Sequence, residues 1–418
     1  MSERHRTSTL PTTRRDFLRL TGGGIGLLAF GRFAPAFLVN SALASAPAPE
    51  KDRSILVLVQ LAGGNDGLNT LIPFEDANYY RLRPTLGIPA NQVLRVSDTL
   101  GFHPSCAPLQ RLFQAGSLAV VENVGYPNPN RSHFRSTEIW ETASGSGDFI
   151  NTGWVGRFLD NTCAGVPAGD RDPLAVHINT PNGEPETLVG ALPHPTFGLS
   201  PYGIGRGGSE ESRRLLEHDA PSPGAGDQIG FLRQTLMDTL VTEVRVQRIL
   251  AAYKPEATYP GNPFAVSLRS IAGLIAGGLP TRVYFVTLSG FDTHVNQAAT
   301  QARLLGILSE SLSAFQQDLQ AHRLDGQVIT MTFSEFGRRP GENESKGTDH
   351  GTAAPLFVLG SRVRGGILGS APRLDVPKNQ DLAYSTDFRG VYGTVLDRWL
   401  GSPSGRILGG PFPAVPFL

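Results

Sequence analysis

Five short polar segments in this 418-residue sequence carry groups able to bind a metal ion or attack an ester. "GFDTH" places Asp292 and His294 after the apolar run "VYFVTL", and "GTDHGTAAP" places Asp349 and His350 just before "PLFVLG". "AGGNDGLNT" holds Asn65 and Asp66, "NRSHFRSTEIWE" holds Ser132 and His133, and "SEFGRRP" holds Glu335 and Arg338. Imidazoles mixed with carboxylates suit zinc or manganese, and carboxylates with neutral oxygens suit calcium. A serine at a helix start is a candidate nucleophile. Singly, each group has an ordinary structural role as a turn former or helix cap. Together they form a different case, because several charges gathered at one place without a cation would be costly.

Whether they gather depends on the elements between them. Apolar runs rich in Val, Ile and Phe predict strands at 54–61, 117–125, 174–179, 281–290, 327–337 and 354–361. They lack clean alternation, as strands buried on both faces do. Three- and four-residue apolar spacing predicts helices over 103–116, 227–253, 263–278, 296–322 and 388–401, the last ended by Gly401. Strands alternating with helices specify an α/β fold: a doubly wound, mainly parallel sheet with helices on both faces. Ligands collect at the carboxyl ends of strands in such sheets, and all five segments adjoin strand ends. The stretch 180–226, rich in Pro, Gly and polar residues, breaks the rhythm and is expected to be a loop-rich excursion at the domain edge.

The rest of the composition narrows the class. Lys and Arg total 37 against 37 acids, with no basic block, so there is no electrostatic basis for binding nucleic acid. Arg14 and Arg15, followed by "DFL", a Gly-rich apolar stretch and small residues up to Ala46, form a twin-arginine export pattern. Residues 1–46 are therefore expected to be a signal peptide, and 47–418 a single α/β domain. Cleavage would remove six of the basic and two of the acidic residues, leaving 31 and 35. No other run approaches the length of a membrane span. The expected location is periplasmic or extracellular, with the twin-arginine machinery as an export partner and no stable membrane span after processing. Cys106 and Cys163 leave two readings open, a disulfide or two unrelated buried thiols.

The ordered block "LVQLAGGNDGLNTLIP", "NRSHFRSTEIWETA", "GFDTH", "SEFGR", "TDHGTAAP" and "STDFRGVYGTVLDRWLG" resembles a family of exported bacterial proteins known as domain of unknown function 1501. That family is grouped with the alkaline phosphatase and sulfatase superfamily. The resemblance runs from about Ile55 to Leu400 and implies an alkaline phosphatase-like fold. It implies that Asp292, His294 and His350 hold one divalent metal (zinc, manganese or calcium). Ser132 would be the nucleophile, Asp66 and Glu335 the remaining metal carboxylates, and Arg338 or Arg131 a clamp on ester oxygens. Only Thr293 separates Asp292 from His294, where the superfamily has three residues, and Glu335-Phe336 stands where it has Asp-His. One metal is therefore expected rather than two. "CAPLQR" at Cys106 does not match the sequence that formylglycine formation needs, so that chemistry is not expected. The implied activity is hydrolysis of phosphate or sulfate esters of a small molecule or polymer. The alternatives are transfer of such a group to an acceptor, or a non-catalytic exported binding or scaffold protein on the same fold.

Overall fold

The computed structural model describes residues 53–162, 172–192, 194–201 and 242–418. Chain contacts divide the molecule into two units. One comprises Pro47–Pro201 and Ile249–Leu418 and contains everything described below. The other comprises Met1–Ala46 and Tyr202–Arg248, of which only a helical stretch from 242 is described. The expected signal peptide, Cys163, most of the 227–253 helix and the second half of the 180–226 excursion lie outside the described residues.

All six expected strands are present: β1 (Ile55–Ala62), β2 (Leu118–Gly125), β3 (Ala175–Ile178), β5 (Val283–Ser289), β6 (Val328–Phe333) and β7 (Ala354–Leu359). Three short strands join them: β4 (Thr196–Leu199), which the excursion contributes, β8 (Gly366–Leu368) and β9 (Thr386–Asp387). They form one nine-stranded sheet in the order β8-β2-β7-β6-β1-β5-β3-β4, with β9 also on β2. Every pairing is parallel except those of β7, which runs antiparallel to both β2 and β6. The mainly parallel α/β architecture read from the sequence is thus the one observed.

Both faces of the sheet are apolar because both are covered. Leu56 and Leu58 of β1 and Val121 of β2 face a cluster that includes Trp140, Trp154, Phe388 and Tyr392. These four aromatics come from α2 (His133–Thr142), α3 (Trp154–Thr162) and α6 (Phe388–Thr394). The Trp140–Phe388 and Trp154–Tyr392 rings stack with centroids 4.4 and 4.5 Å apart. The opposite face is covered by α1 (Ala107–Gln114), α4 (Pro263–Ala276) and the 25-residue α5 (Gln297–Ala321). Helix α4 starts where expected: Pro263 occupies its first turn and the Asn262 side chain accepts the Ala265 N–H. The last helix is shorter than expected, because α6 passes into a π-helical turn over Val395–Leu400 before ending at Gly401, whose φ is +67°.

Two departures from the expected elements matter for the site. Strand β6 stops at Phe333 rather than near 337, so Ser334–Gly337 leave the sheet and Glu335 lies in a loop. The antiparallel sense of β7 brings its N-terminal end, with His350 just before it, to the edge where β1, β2, β5 and β6 deliver their carboxyl ends. A small antiparallel ribbon, Arg338–Glu342 with Thr348–His350, carries the chain from one to the other.

Candidate metal centre

Asp292 is the hub of this edge. Its Oδ1 lies 3.0 Å from His294 Nε2, 3.1 Å from His350 Nε2 and 2.7 Å from Arg338 Nη2. Its Oδ2 lies 3.4 Å from His133 Nε2. His133, Asp292 and His350 can each offer one ligand atom with all three atoms within 4.8 Å of one another. His294 Nε2 adjoins the set, 3.0 Å from His350 Nε2.

The far side of each imidazole is also engaged. His133 Nδ1 is 3.0 Å from Glu335 Oε1, and His350 Nδ1 is 2.8 Å from the Arg131 carbonyl oxygen. His294 Nδ1 is 3.5 Å from Asp349 Oδ1. A carbonyl oxygen can only accept, so the His350 proton sits on Nδ1 and its Nε2 presents a lone pair. In the other two rings a carboxylate faces each nitrogen: Glu335 and Asp292 for His133, Asp349 and Asp292 for His294. Three imidazoles thus point Nε2 at one carboxylate while Nδ1 meets an outer partner, a pattern typical of metal-binding histidines. The His294 and His350 Nε2 atoms face each other across 3.0 Å, so a proton or a metal cation must lie between them. Three nitrogens and a carboxylate fit a borderline transition-metal ion such as zinc better than calcium, which takes oxygens. The residues present therefore fit a divalent metal.

The electrostatics agree. Burial works to raise the Asp292 carboxyl, but the hydrogen bond and charge of Arg338 and the neighbouring histidines outweigh it and hold it at about 2. The Glu335 hydrogen bond raises the His133 pKa against its partial burial, with the Glu335 and Asp292 charges adding to it. A divalent cation would displace that proton.

Backbone geometry makes this crowding possible. Gly63 follows β1 with φ +116°, and a Cβ there would overlap the backbone nitrogen of Asp292. Its own N–H donates to Glu335 Oε1 at 2.7 Å, so the β1, β5 and β6 loops meet at one glycine. Gly347 lies so close to the His294 carbonyl that a side chain would not fit. Phe336 packs its ring on His350 and His133, with centroids 4.4 and 5.0 Å away, and forms an apolar wall to the centre.

The structure brings Asp292, His294 and His350 together, but it gives three other expected residues different surroundings. Glu335 is 3% exposed and holds His133 and Gly63, so it acts behind a ligand. Asp66 is fully buried and does not join the cluster. Its two oxygens receive Arg83 Nη1 and Nη2 at 2.6 and 2.8 Å, and Gln297 Nε2 also donates to it. Gln297 in turn accepts from Thr293 and Thr348, so Asp66 anchors the layer beneath the site. Arg338, expected to clamp an ester, is 1% exposed. Its nitrogens donate to the carbonyls of Gly63, Gly64, Phe291 and Thr348 and to Asp292 Oδ1. A guanidinium so enclosed is a positioning residue for Asp292. Arg131 is 42% exposed and pairs with Asp381 at 3.2 Å.

Ser132 is exposed at the N-cap of α2, and its side chain caps no backbone N–H. It stands between two residues that touch the centre, Arg131 through its carbonyl and His133 through its ring. His133 is the candidate ligand that sequence reasoning passed over in favour of its neighbour. The available signal was its place at the first position of a helix that follows a strand, where a side chain points back toward the strand ends.

Several known structures resemble the chain at low similarity. One is the C-terminal periplasmic domain of EcEptC from Escherichia coli in complex with zinc, at 9% identity and a TM-score of 0.32, covering 75% of this chain and 74% of that one. Another is a protein in the alkaline phosphatase superfamily from Vibrio parahaemolyticus, at 10% and 0.33, covering 76% and 64%. A third is the lipoteichoic acid synthase LtaP from Listeria monocytogenes, at 9% and 0.36, covering 79% and 73%. No curated protein matches the chain in sequence. Residues 225–390, which include Asp292, His294, Glu335, Arg338 and His350, match the family described as "Protein of unknown function (DUF1501)".

Proposed function

We propose that the protein is a metal-dependent hydrolase of phosphate or sulfate esters. The observation that carries this reading is the convergence of His133, His294 and His350 on Asp292, each ring with its Nδ1 already engaged. His133, Asp292 and His350 would hold the ion, with His294 alongside. When bound, the ion supplies Lewis acidity and neutralises charge on an anionic ester.

The chain's own groups would do the rest. The N-terminus of α2 directs unpaired backbone N–H groups and the positive end of its dipole toward an incoming oxyanion. Ser132 Oγ would form the new bond to phosphorus or sulfur as the bond to the alcohol oxygen breaks. The serine proton would leave with the alcohol, and water would then release the group from the serine. Glu335 and Asp349 would hold His133 and His294 in the tautomer that binds the ion, and Arg338 would hold Asp292.

Export by the twin-arginine route to the periplasm or beyond belongs to the same proposal and is supported by Arg14, Arg15 and the stretch that follows. A mature N-terminus near Ala46 on protein recovered from outside the cytoplasm would test it. Among the described residues no helix is long and apolar enough to cross a membrane.

The central test is elemental analysis of the purified protein followed by assay on aryl phosphates and aryl sulfates. One metal ion per chain is expected, with turnover lost on chelation and in Ser132→Ala at unchanged metal content. Metal-free protein of native fold, inert on both ester classes, would refute the proposal. Stoichiometric metal without turnover would instead assign a binding function.

A further inference from the structure

Asp292 and His294 follow β5, whereas His350 ends the ribbon, so their mutual placement depends on what ties these two stretches together. Main-chain bonds supply part of the tie. The Thr348 N–H donates to the Thr293 carbonyl at 3.2 Å, and the N–H groups of Asn296 and Gln297 donate to the Ser345 and Lys346 carbonyls at 2.9 Å each. A buried side chain adds a tie beside the candidate ligands themselves. Gln297, the first residue of α5, is fully buried, and its Oε1 accepts the Thr293 hydroxyl at 3.0 Å and the Thr348 hydroxyl at 2.6 Å. Thr293 stands between Asp292 and His294, and Thr348 two residues before His350. One oxygen atom thus holds both stretches.

The amide fits one way round. Its Nε2 donates to the Asp66 carboxylate, which can only accept, so Oε1 must face the two hydroxyls. A carboxylate at 297 would set oxygen against the oxygens of Asp66, and a hydrocarbon chain would strip the buried Thr348 hydroxyl of its acceptor. Gln301, one turn along α5, offers a natural comparison. It is 1% exposed, but its Nε2 reaches the β1 loop instead, 3.0 Å from Asn65 Oδ1 and 3.3 Å from Thr70 Oγ1.

We propose that Gln297 is a positioning residue for the candidate centre: its amide sets how far His350 stands from Asp292 and His294, and thereby the geometry offered to the ion. The proposal rests on the metal-binding part of the reading above and not on ester hydrolysis. Residues that orient metal ligands from behind typically change affinity about ten- to hundred-fold when altered.

The test compares Gln297→Met with Gln301→Met. Zinc is titrated calorimetrically, Co²⁺ replaces it for absorption bands that report ligand geometry, and the ring signals of His294 and His350 are followed by NMR in metal-free protein. Q297M should bind zinc at least ten-fold more weakly, with altered Co²⁺ bands and displaced signals from both rings. Q301M should lower the Tm while keeping the affinity, bands and ring signals of the parent. Thr348→Val, which removes one bond to Oε1 at nearly constant volume, should alter the same bands and signals, and it carries the test if Q297M does not fold. Parent-like affinity, bands and signals in Q297M and T348V, or equal changes in Q301M, would overturn the proposal. Such a result in a protein that binds zinc and turns over esters would leave the hydrolase reading standing. Parent protein that binds no metal, but whose two ring signals move in Q297M and not in Q301M, would remove the hydrolase reading and leave the positioning role of Gln297.

Discussion

Replacing Asp66 by Asn separates two roles for one carboxylate. A metal ligand in that position would take the ion with it when altered and leave stability nearly unchanged. The structure predicts the opposite. Asp66 and Arg83 are 1% and 0% exposed at their side chains and are joined by two hydrogen bonds of 2.6 and 2.8 Å. Arg83 also donates to the carbonyls of Arg339 and Pro340, so the pair ties the β1 loop to the ribbon that carries His350. Asn keeps one acceptor but turns an amide N–H₂ toward a guanidinium that has lost its counter-charge. Removing one partner of a buried pair costs about 3–5 kcal/mol. An unfolding entropy of about 2 cal/mol/K per residue gives roughly 0.9 kcal/mol/K for a chain of this length, hence a fall in Tm of about 3–6 °C. Calorimetric melts of metal-loaded and metal-stripped protein, with elemental analysis, measure both quantities. The expected result is a similar loss of Tm in both forms with metal stoichiometry kept. Arg83→Met should cost a similar amount, and the double variant should recover part of it, because neither charge is then stranded. An unchanged Tm with lost metal would place Asp66 among the ligands and refute this reasoning.

Two desolvated groups outside the histidine cluster should give opposite pH slopes. His177, whose Nδ1 is 2.7 Å from Thr180 Oγ1, is pushed down to about 4 by burial. Its folded pKa is below its unfolded value, so stability is full above about 6.5 and is lost as pH falls toward 4, by up to about 3 kcal/mol. Urea titrations of His177→Gln should lack that slope. Glu141 is pushed up to about 7 chiefly by burial, so its contribution is full below about 4.5 and is lost as pH rises through 7. Glu141→Gln should gain on the parent between pH 5 and 8, and an unchanged difference across that range would count against its burial as the cause. Gly63→Ala should lose more than about 2 kcal/mol from its left-handed backbone and the overlap with Asp292, and should also lose metal. Tight metal binding by that variant would show that the β1 loop is not needed to place Asp292.

Much of the fold was legible because apolar runs and caps are local. The six predicted strands appear within a few residues of their expected bounds, and Asn262 and Gly401 end helices as their chemistry dictates. The short strands β4, β8 and β9 were not legible, since edge strands of two to four residues carry no periodic signal. Nor was the sense of β7, which depends on the ribbon at 338–350 reversing the chain.

The sequence by itself determined that acid, imidazole and hydroxyl groups follow strands of a mainly parallel sheet, and hence which loops share its carboxyl edge. Only the tertiary structure decided which members of that set touch. Asp66, Glu335 and Arg338 resemble site residues by type and position, yet each meets a partner far along the chain: Arg83, His133 and the Gly63–Gly64 carbonyls. His133 enters the site because the first turn of α2 lies across from the β5 loop. Such pairings are set by distances between elements distant in sequence, and no local pattern encodes them. A carboxylate placed to meet a metal and one that only supports the loops are chemically alike until the fold leaves one open to the histidines and buries the other against its own partners.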